Sequence, residues 1–269
     1  MEQTKMTAQS TVTARIGALR DTRAALLDFC RGLTDEQWQT PSKAAGWTVK
    51  DVIAHIGSGA HTMFTPASIP LLRTDDIERA NDALVEARRD WSPRQVLAEY
   101  ERWTARSTRL AAGLVRTPLA RMSVPLGELG RFPLGLLMTA AGVFDQYTHL
   151  HFDLAPALGQ DRPPADARQL DVAIQWMLAV LGNQLATARH GWFHRPIGLT
   201  LLGPGGGRWS VLPDGAITAP GADTAVEIIG HAADFPSWGT RRSPWREHDV
   251  TIRGDHTLGE TFLGAMNIV

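Results

Sequence analysis

An aspartate and a histidine four residues apart, in the run "GVFDQYTHLHFDL", are well placed to do chemistry. If this stretch is helical, Asp145 and His149 project from one face, one turn apart. A carboxylate and an imidazole at that spacing can hold one metal ion from a single helix, by the same logic that lets two histidines four apart ligate zinc. A third protein ligand from a facing helix would leave an open position, which suits activating a bound molecule rather than stapling a fold. The run "GWTVKDVIAHIGSGAH", residues 46–61, offers that ligand twice, as His55 and His61. Six residues apart, the two point in different directions on a regular helix, so at most one of them faces a shared interior. Phase favours His55, which sits among Val52, Ile53 and Ile56. His61 follows Gly57, Ser58, Gly59 and Ala60 and is expected at a pocket rim. Each signal has a bland reading as well. A histidine on an apolar helix face is more often a core residue, and an Asp-x-x-x-His pair can be a surface hydrogen bond. The combination carries more than its parts.

These residues need helices to position them. Thr13 to Leu33 is amphipathic, with Ile16, Leu19, Leu26, Leu27, Phe29, Cys30 and Leu33 at three- and four-residue spacings. Thr34-Asp35-Glu36 then opens a connection running to Trp47. Thr48 is an N-cap for a second helix lasting to about Thr65 or Pro66. A charged stretch, residues 71–91, precedes a Ser92-Pro93 start signal and a third helix ending near Arg116. After a Pro- and Gly-rich loop, a fourth helix runs from about Leu134 to Leu154. The pattern predicts an up-and-down four-helix bundle. Past "APALGQDRPPADAR" the character changes: a helix over roughly Ala167–Arg189, then "IGLTLLG" and "RWSVLP" flanking a "GPGGG" turn. "TAVEIIG" and "HDVTIRGD" read as further strands, "HAADFPSWGTRR" as a helix, and "HTLGETFLGAMNIV" as a closing helix. The fold class is therefore mainly α, with a four-helix bundle over residues 1–160 and a small α+β domain over 161–269.

Composition narrows the function. With 269 residues, 43% hydrophobic and 20% charged, the chain is that of a globular protein. A net charge of −1 argues against nucleic acid as a partner. No apolar run reaches a membrane span, the N-terminus lacks the apolar core of a secretory signal, and a single cysteine suits a reducing cytoplasm. Cys30, on an apolar face, reads as core packing. His151 is expected to point away from any ion held by His149. Asp153 is expected either to cap its helix or to accept a hydrogen bond from a ligand histidine.

"GWTVKDVIAHI" resembles a signature of the DinB-like helical bundles, in particular the mycothiol-dependent maleylpyruvate isomerase branch. "DQYTHLHFDL" is similar to that branch's second signature, and "ADFPSWGTRRSPWREHDVTIRGDHTLGETFLGAM" resembles its small second domain. The resemblance implies a DinB-like bundle in which His55, Asp145 and His149 bind a divalent metal, usually zinc, and are the catalytic set. It also implies a low-molecular-weight thiol cosubstrate such as mycothiol, and isomerase or S-transferase chemistry on a small electrophile. The branch commonly has Glu where this chain has Asp145, one methylene shorter, and "GTRR" carries an extra threonine, so the isomerase substrate does not carry over. Arg241 and Arg242 offer a guanidinium fork for a substrate carboxylate, with a solvated turn as the plainer reading, and His61 would line the approach. Two other readings share the fold: a non-catalytic metal- or ligand-binding bundle, and a metal-assisted hydrolase with water at the open position. The expected partners are small molecules, with the protein a monomer or homodimer.

Overall fold

In a computed structural model the chain divides into two compact units, Met1–Pro164 and Ala165–Val269. The structure describes residues 2–164, 166–188, 190–221 and 223–268.

Four long helices build the first unit: α1 (Glu2–Arg31), α3 (Val49–Thr62), α6 (Pro93–Leu114) and α7 (residues 134–154). Their starts follow from local chemistry. Thr48 caps α3: its Oγ1 accepts from the Asp51 N–H at 3.2 Å, and Asp51 Oδ2 accepts from the Thr48 N–H at 2.9 Å. This reciprocal capping satisfies two otherwise orphaned donors. Ser92 and Gln95 do the same for α6, with Pro93 at its first position. Two connections expected to be irregular contain helix. Thr34 and Gln37 form a further reciprocal cap on the short α2 (Asp35–Gln39). The charged stretch before Trp91 holds α4 (Ser68–Arg73) and α5 (Ile77–Glu86); α5 buries Ile77 and Val85 and exposes its charges.

The helix order is not the simple up-and-down one. Lys50, in the first turn of α3, donates through Nζ to Trp91 O at 3.2 Å, just before α6 begins. Further along both helices, a Cβ at Gly57 would lie 3.1 Å from Tyr100 Cα. Beyond that, Ser107 Oγ reaches Ala60 O at 3.5 Å. Residue numbers rise together, so α3 and α6 run parallel. Residues 63–92, carrying α4 and α5, cross back along the bundle to make this possible. By contrast α7 runs antiparallel to α3, since the Lys43 N–H donates to Asp153 O at 3.0 Å while His55 meets Asp145.

Apolar burial holds the four together. Leu26, Leu27, Trp38, Val52, Ile53, Val96, Tyr100, Leu150 and Leu154 belong to one core cluster. Cys30 belongs to it too, and burial pushes its thiol up to about 12. It therefore stays protonated at neutral pH, and thiolate is the reactive form. Iodoacetamide is expected to leave Cys30 unmodified in the native protein and to label it fully in denaturant. Rapid native labelling, followed by mass spectrometry, would refute this.

The second unit opens with α8 (Ala167–Ala188); Arg189, at the expected end of this helix, lies outside the described residues. The first unit holds a short two-stranded hairpin, β1 (Ser123–Pro125) and β2 (Arg131–Pro133), and the second a five-stranded sheet in the order β5-β4-β3-β6-β7. β3 (Ile197–Leu202) and β4 (Gly207–Val211) form the expected hairpin, while β5 (Ile217–Thr218) was not foreseen. β6 (Val226–His231) pairs parallel to β3 and antiparallel to β7 (Thr251–Gly254). Only Phe235–Gly239 of the "HAADFPSWGTRR" run is α-helical, as α9, and the closing helix, α10, spans His256–Ala265. The unit is α+β. Among the described residues, no helix is long and apolar enough to cross a membrane.

Candidate metal centre

His55 sits on the face of α3 turned towards α7, and there it meets the Asp-x-x-x-His pair. Its Nε2 lies 3.2 Å from Asp145 Oδ1, and His149 Nε2 lies 3.3 Å from the same oxygen. One ligand atom from each of the three residues falls within 4.8 Å of the other two. The two histidine side chains are 12% and 9% exposed and the Asp145 side chain 32%, so the cluster is closed on its imidazole sides and open beside the carboxylate.

The helix bearing two of these groups is not a uniform α-helix. Residues 137–141 and 149–154 follow the wider π pattern, and the single α-helical stretch between them carries Asp145. Such π turns are frequent at functional sites because they re-aim side chains. Next to Asp145, Gln146 Oε1 accepts from the Tyr100 hydroxyl at 2.5 Å, and its Nε2 donates to Gly142 O at 2.7 Å. That buried bond pins α7 to α6 and fixes the register in which Asp145 is presented.

Behind the cluster, His149 Nδ1 lies 2.7 Å from Asp153 Oδ2. Asp153 is 1% exposed, and by accepting this bond it keeps a proton on Nδ1, so that Nε2 is the nitrogen facing the cluster. Trp47, directly before the cap of α3, covers the other side, with its ring centroid 5.0 Å from that of His55 and 6.4 Å from that of His149. Its indole N–H donates to Asp82 at 2.9 Å, which sets the ring. His55 Nδ1 is buried without a hydrogen-bond partner.

The electrostatics call for positive charge at this point. Burial would push the Asp145 carboxyl up, yet the charges and hydrogen bonds of His55 and His149 overcome it and hold the group well below the usual carboxylate range. Burial would push the His149 imidazole down, yet its bonds to Asp145 and Asp153 raise it to about 9. A proton is thus retained between two carboxylates, where a bound cation would satisfy the same field. Two imidazole nitrogens and one carboxylate oxygen suit zinc or a similar divalent ion, and the residues fit such an ion.

His61, His151 and the two arginines each have partners of their own. His61 leaves α3 on the side of α6, where its Nδ1 meets Glu99 Oε1 at 2.8 Å. His151 is buried, stacked on Tyr147 at 3.9 Å, with its Nδ1 donating to Tyr147 O, as a structural residue would be. In the second unit, Arg241 donates from Nε to Met266 O and from Nη2 to Gly264 O, both at 2.8 Å. Arg242 donates from Nη1 to Thr240 Oγ1 at 3.0 Å. Arg241 thereby secures the turn beyond α9 to the end of α10. Trp47 as a wall of the cluster was not foreseen, although its place beside the Thr48 cap was a signal.

If Asp153 sets the His149 tautomer, Asp153→Asn lowers metal affinity about 10–100-fold while leaving all three ligands in place. Competition with a chelator checks this; unchanged affinity would show that the bond only braces the helix.

Comparison with known proteins agrees with this architecture. Residues 19–128 match the family model described as the mycothiol maleylpyruvate isomerase N-terminal domain. Among solved structures, the mycothiol-dependent maleylpyruvate isomerase is similar with a TM-score of 0.51 and 15% identity, over 90% of this chain and 92% of that one. A histidine-to-alanine mutant of a mycothiol-dependent maleylpyruvate isomerase gives the same figures. At this identity the likeness shows the fold. No curated protein matches the chain by sequence.

Proposed function

From the match of residues 19–128 to the model of the mycothiol maleylpyruvate isomerase N-terminal domain, we propose that this protein is a metal- and thiol-dependent isomerase or S-transferase acting on a small electrophile. The observation that carries the reading is the convergence of His55, Asp145 and His149, with Asp153 fixing one ligand from behind.

His55 and His149 would each give an Nε2 lone pair, the cation displacing the proton retained on His149, and Asp145 one negative oxygen, so the three would hold a divalent cation and leave a net positive charge. When bound, that ion stabilises a thiolate at neutral pH and provides an open position for a ligand. The chain's own groups prepare the rest. Asp153 keeps the His149 proton on Nδ1, away from the cluster. Trp47 walls off one side, so a small molecule enters beside the more exposed Asp145 carboxylate. The reaction suited to a nucleophilic sulfur here is addition to an activated double bond, rotation about the resulting single bond, and elimination of the same thiol. That sequence regenerates the thiol and isomerises the substrate. Displacement of a leaving group from the electrophile gives S-transfer instead.

The test is metal analysis of the purified protein together with isomerisation of maleylpyruvate, and turnover of other small electrophiles, with and without mycothiol. Thiol-dependent turnover that a chelator abolishes supports the reading. Metal-dependent turnover without thiol would point to hydrolysis. Bound metal with no turnover of any electrophile would point to a ligand-binding bundle.

A further inference from the structure

Two buried side-chain atoms on α3 have no hydrogen-bond partner among the described residues, and they are complementary. One is His55 Nδ1 and the other is Asp51 Oδ1. The two residues are four apart on one helix, so their side chains share a face, one turn from each other. Helical side chains lean towards the N-terminus, which carries the His55 ring over the turn that bears Asp51. The Asp51 side chain is 2% exposed and that of His55 12%. Buried polar atoms are nearly always paired, because leaving one unmatched costs its full desolvation.

The Asp51 carboxylate is held by its other oxygen. Oδ2 accepts from the Thr48 N–H at 2.9 Å, from the Thr48 hydroxyl at 2.8 Å and from Arg89 Nη1 at 2.9 Å. Three donors converge on that oxygen and leave Oδ1 as the spare acceptor. At the far end of the imidazole, His55 Nε2 faces Asp145. A neutral imidazole that ligates a cation through Nε2 carries its proton on Nδ1. Loading the site therefore puts a donor at the atom that lacks an acceptor. On α7 the same demand is met directly, with Asp153 Oδ2 at 2.7 Å from His149 Nδ1.

We propose that Asp51 is the positioning residue for His55, its Oδ1 accepting the Nδ1–H of the metal-bound ring as Asp153 does for His149. No bond joins the two atoms in the structure, so ion binding closes the gap by a small turn of the ring or through one trapped water. Thr148 Oγ1 is a rival acceptor, also buried and unpartnered. It belongs to α7 rather than to the turn under His55, and a carboxylate accepts more strongly than a hydroxyl. The inference rests on the metal in the functional reading above. It gives Asp51 two tasks: Oδ2 caps the helix, and Oδ1 aims the ligand that the helix carries.

The test is Asp51→Asn, with zinc as the probe. Thr48 and Arg89 require an acceptor at the Oδ2 position, so the asparagine turns its NH2 to the Oδ1 position, where it faces the His55 N–H as a second donor. Zinc affinity, read by chelator competition, falls about 10–100-fold. Thr48→Ala loosens the same helix start but keeps Oδ1, and Thr148→Val removes the rival acceptor; both leave zinc affinity unchanged. In zinc-loaded wild type, ring-nitrogen NMR shows a His55 Nδ1–H slow to exchange with water, and Asp51→Asn makes it fast. Wild-type affinity in Asp51→Asn would overturn the proposal, and so would an equal loss in Thr48→Ala, which makes the effect one of capping. A larger loss in Thr148→Val than in Asp51→Asn would hand the acceptor role to Thr148. A fast-exchanging Nδ1–H in zinc-loaded wild type overturns the proposal without any variant. Zinc binding weakened by Asp51→Asn alone, in a protein with no thiol-dependent turnover, upholds this inference and sinks the functional reading. A wild type that binds no zinc sinks both.

Discussion

Replacing His149 by alanine strips the metal and abolishes thiol-dependent turnover together, while the bundle remains folded. The variant deletes one of only three protein ligands, so metal affinity falls by more than the roughly 10–100-fold that loss of an outer partner costs. Stability drops less severely. Asp153 loses its bond to the imidazole, on the order of 1–3 kcal/mol, but the apolar cluster formed by Leu26, Ile53, Tyr100, Leu150 and their neighbours is untouched. Three measurements check the separation: metal per protein after dialysis, turnover with added metal and thiol, and the thermal transition by circular dichroism. Full turnover in a metal-free His149→Ala protein would remove the ion from the chemistry.

The largest stability effect is expected at a distance from the metal ligands. Glu99→Leu leaves the Arg88 guanidinium buried, with Leu84 O retained and both charge-assisted bonds to the carboxylate lost. Breaking one side of such a pair costs about 3–5 kcal/mol, whereas replacing both sides with apolar residues is close to neutral. The double variant Arg88→Met/Glu99→Leu therefore recovers most of the stability lost in Glu99→Leu alone. Urea unfolding of wild type, both single variants and the double variant measures the coupling. If Glu99→Leu unfolds within about 0.5 kcal/mol of wild type, a typical surface change, the pair does not carry the coupling assigned to it.

These two sites differ in how far the amino-acid order reveals them. Asp145 and His149 share a face because the helix repeat puts residues four apart on one side, a rule that needs no partner. The Thr48–Asp51 cap is equally local, as are the "GPGGG" turn and the strands beside it. The sequence pattern also contained α2, but its capping Thr34 and Gln37 lie in a run too short for apolar periodicity to stand out. In α5 the two buried positions, Ile77 and Val85, are outnumbered by exposed charges, so the segment reads as polar connection.

What the sequence by itself determined is therefore the set of things that depend on neighbours within about one helical turn or one hairpin: helix phase, caps, tight turns, and the pairing of Asp145 with His149 on one face. Tertiary structure alone decided the rest. The crossover of residues 63–92 makes α3 run parallel to α6, and Gly57 lets the two backbones approach closely at Tyr100. That packing turns His55 to Asp145, 90 residues away, and His61 to Glu99, 38 residues away. Both histidines sit on one helix, and phase within the apolar stripe favours only His55 for a shared interior, without saying which helix either one faces. Which one meets the carboxylate of α7 and which the carboxylate of α6 follows from how the helix is rotated between its neighbours, and the burial of the whole core sets that rotation.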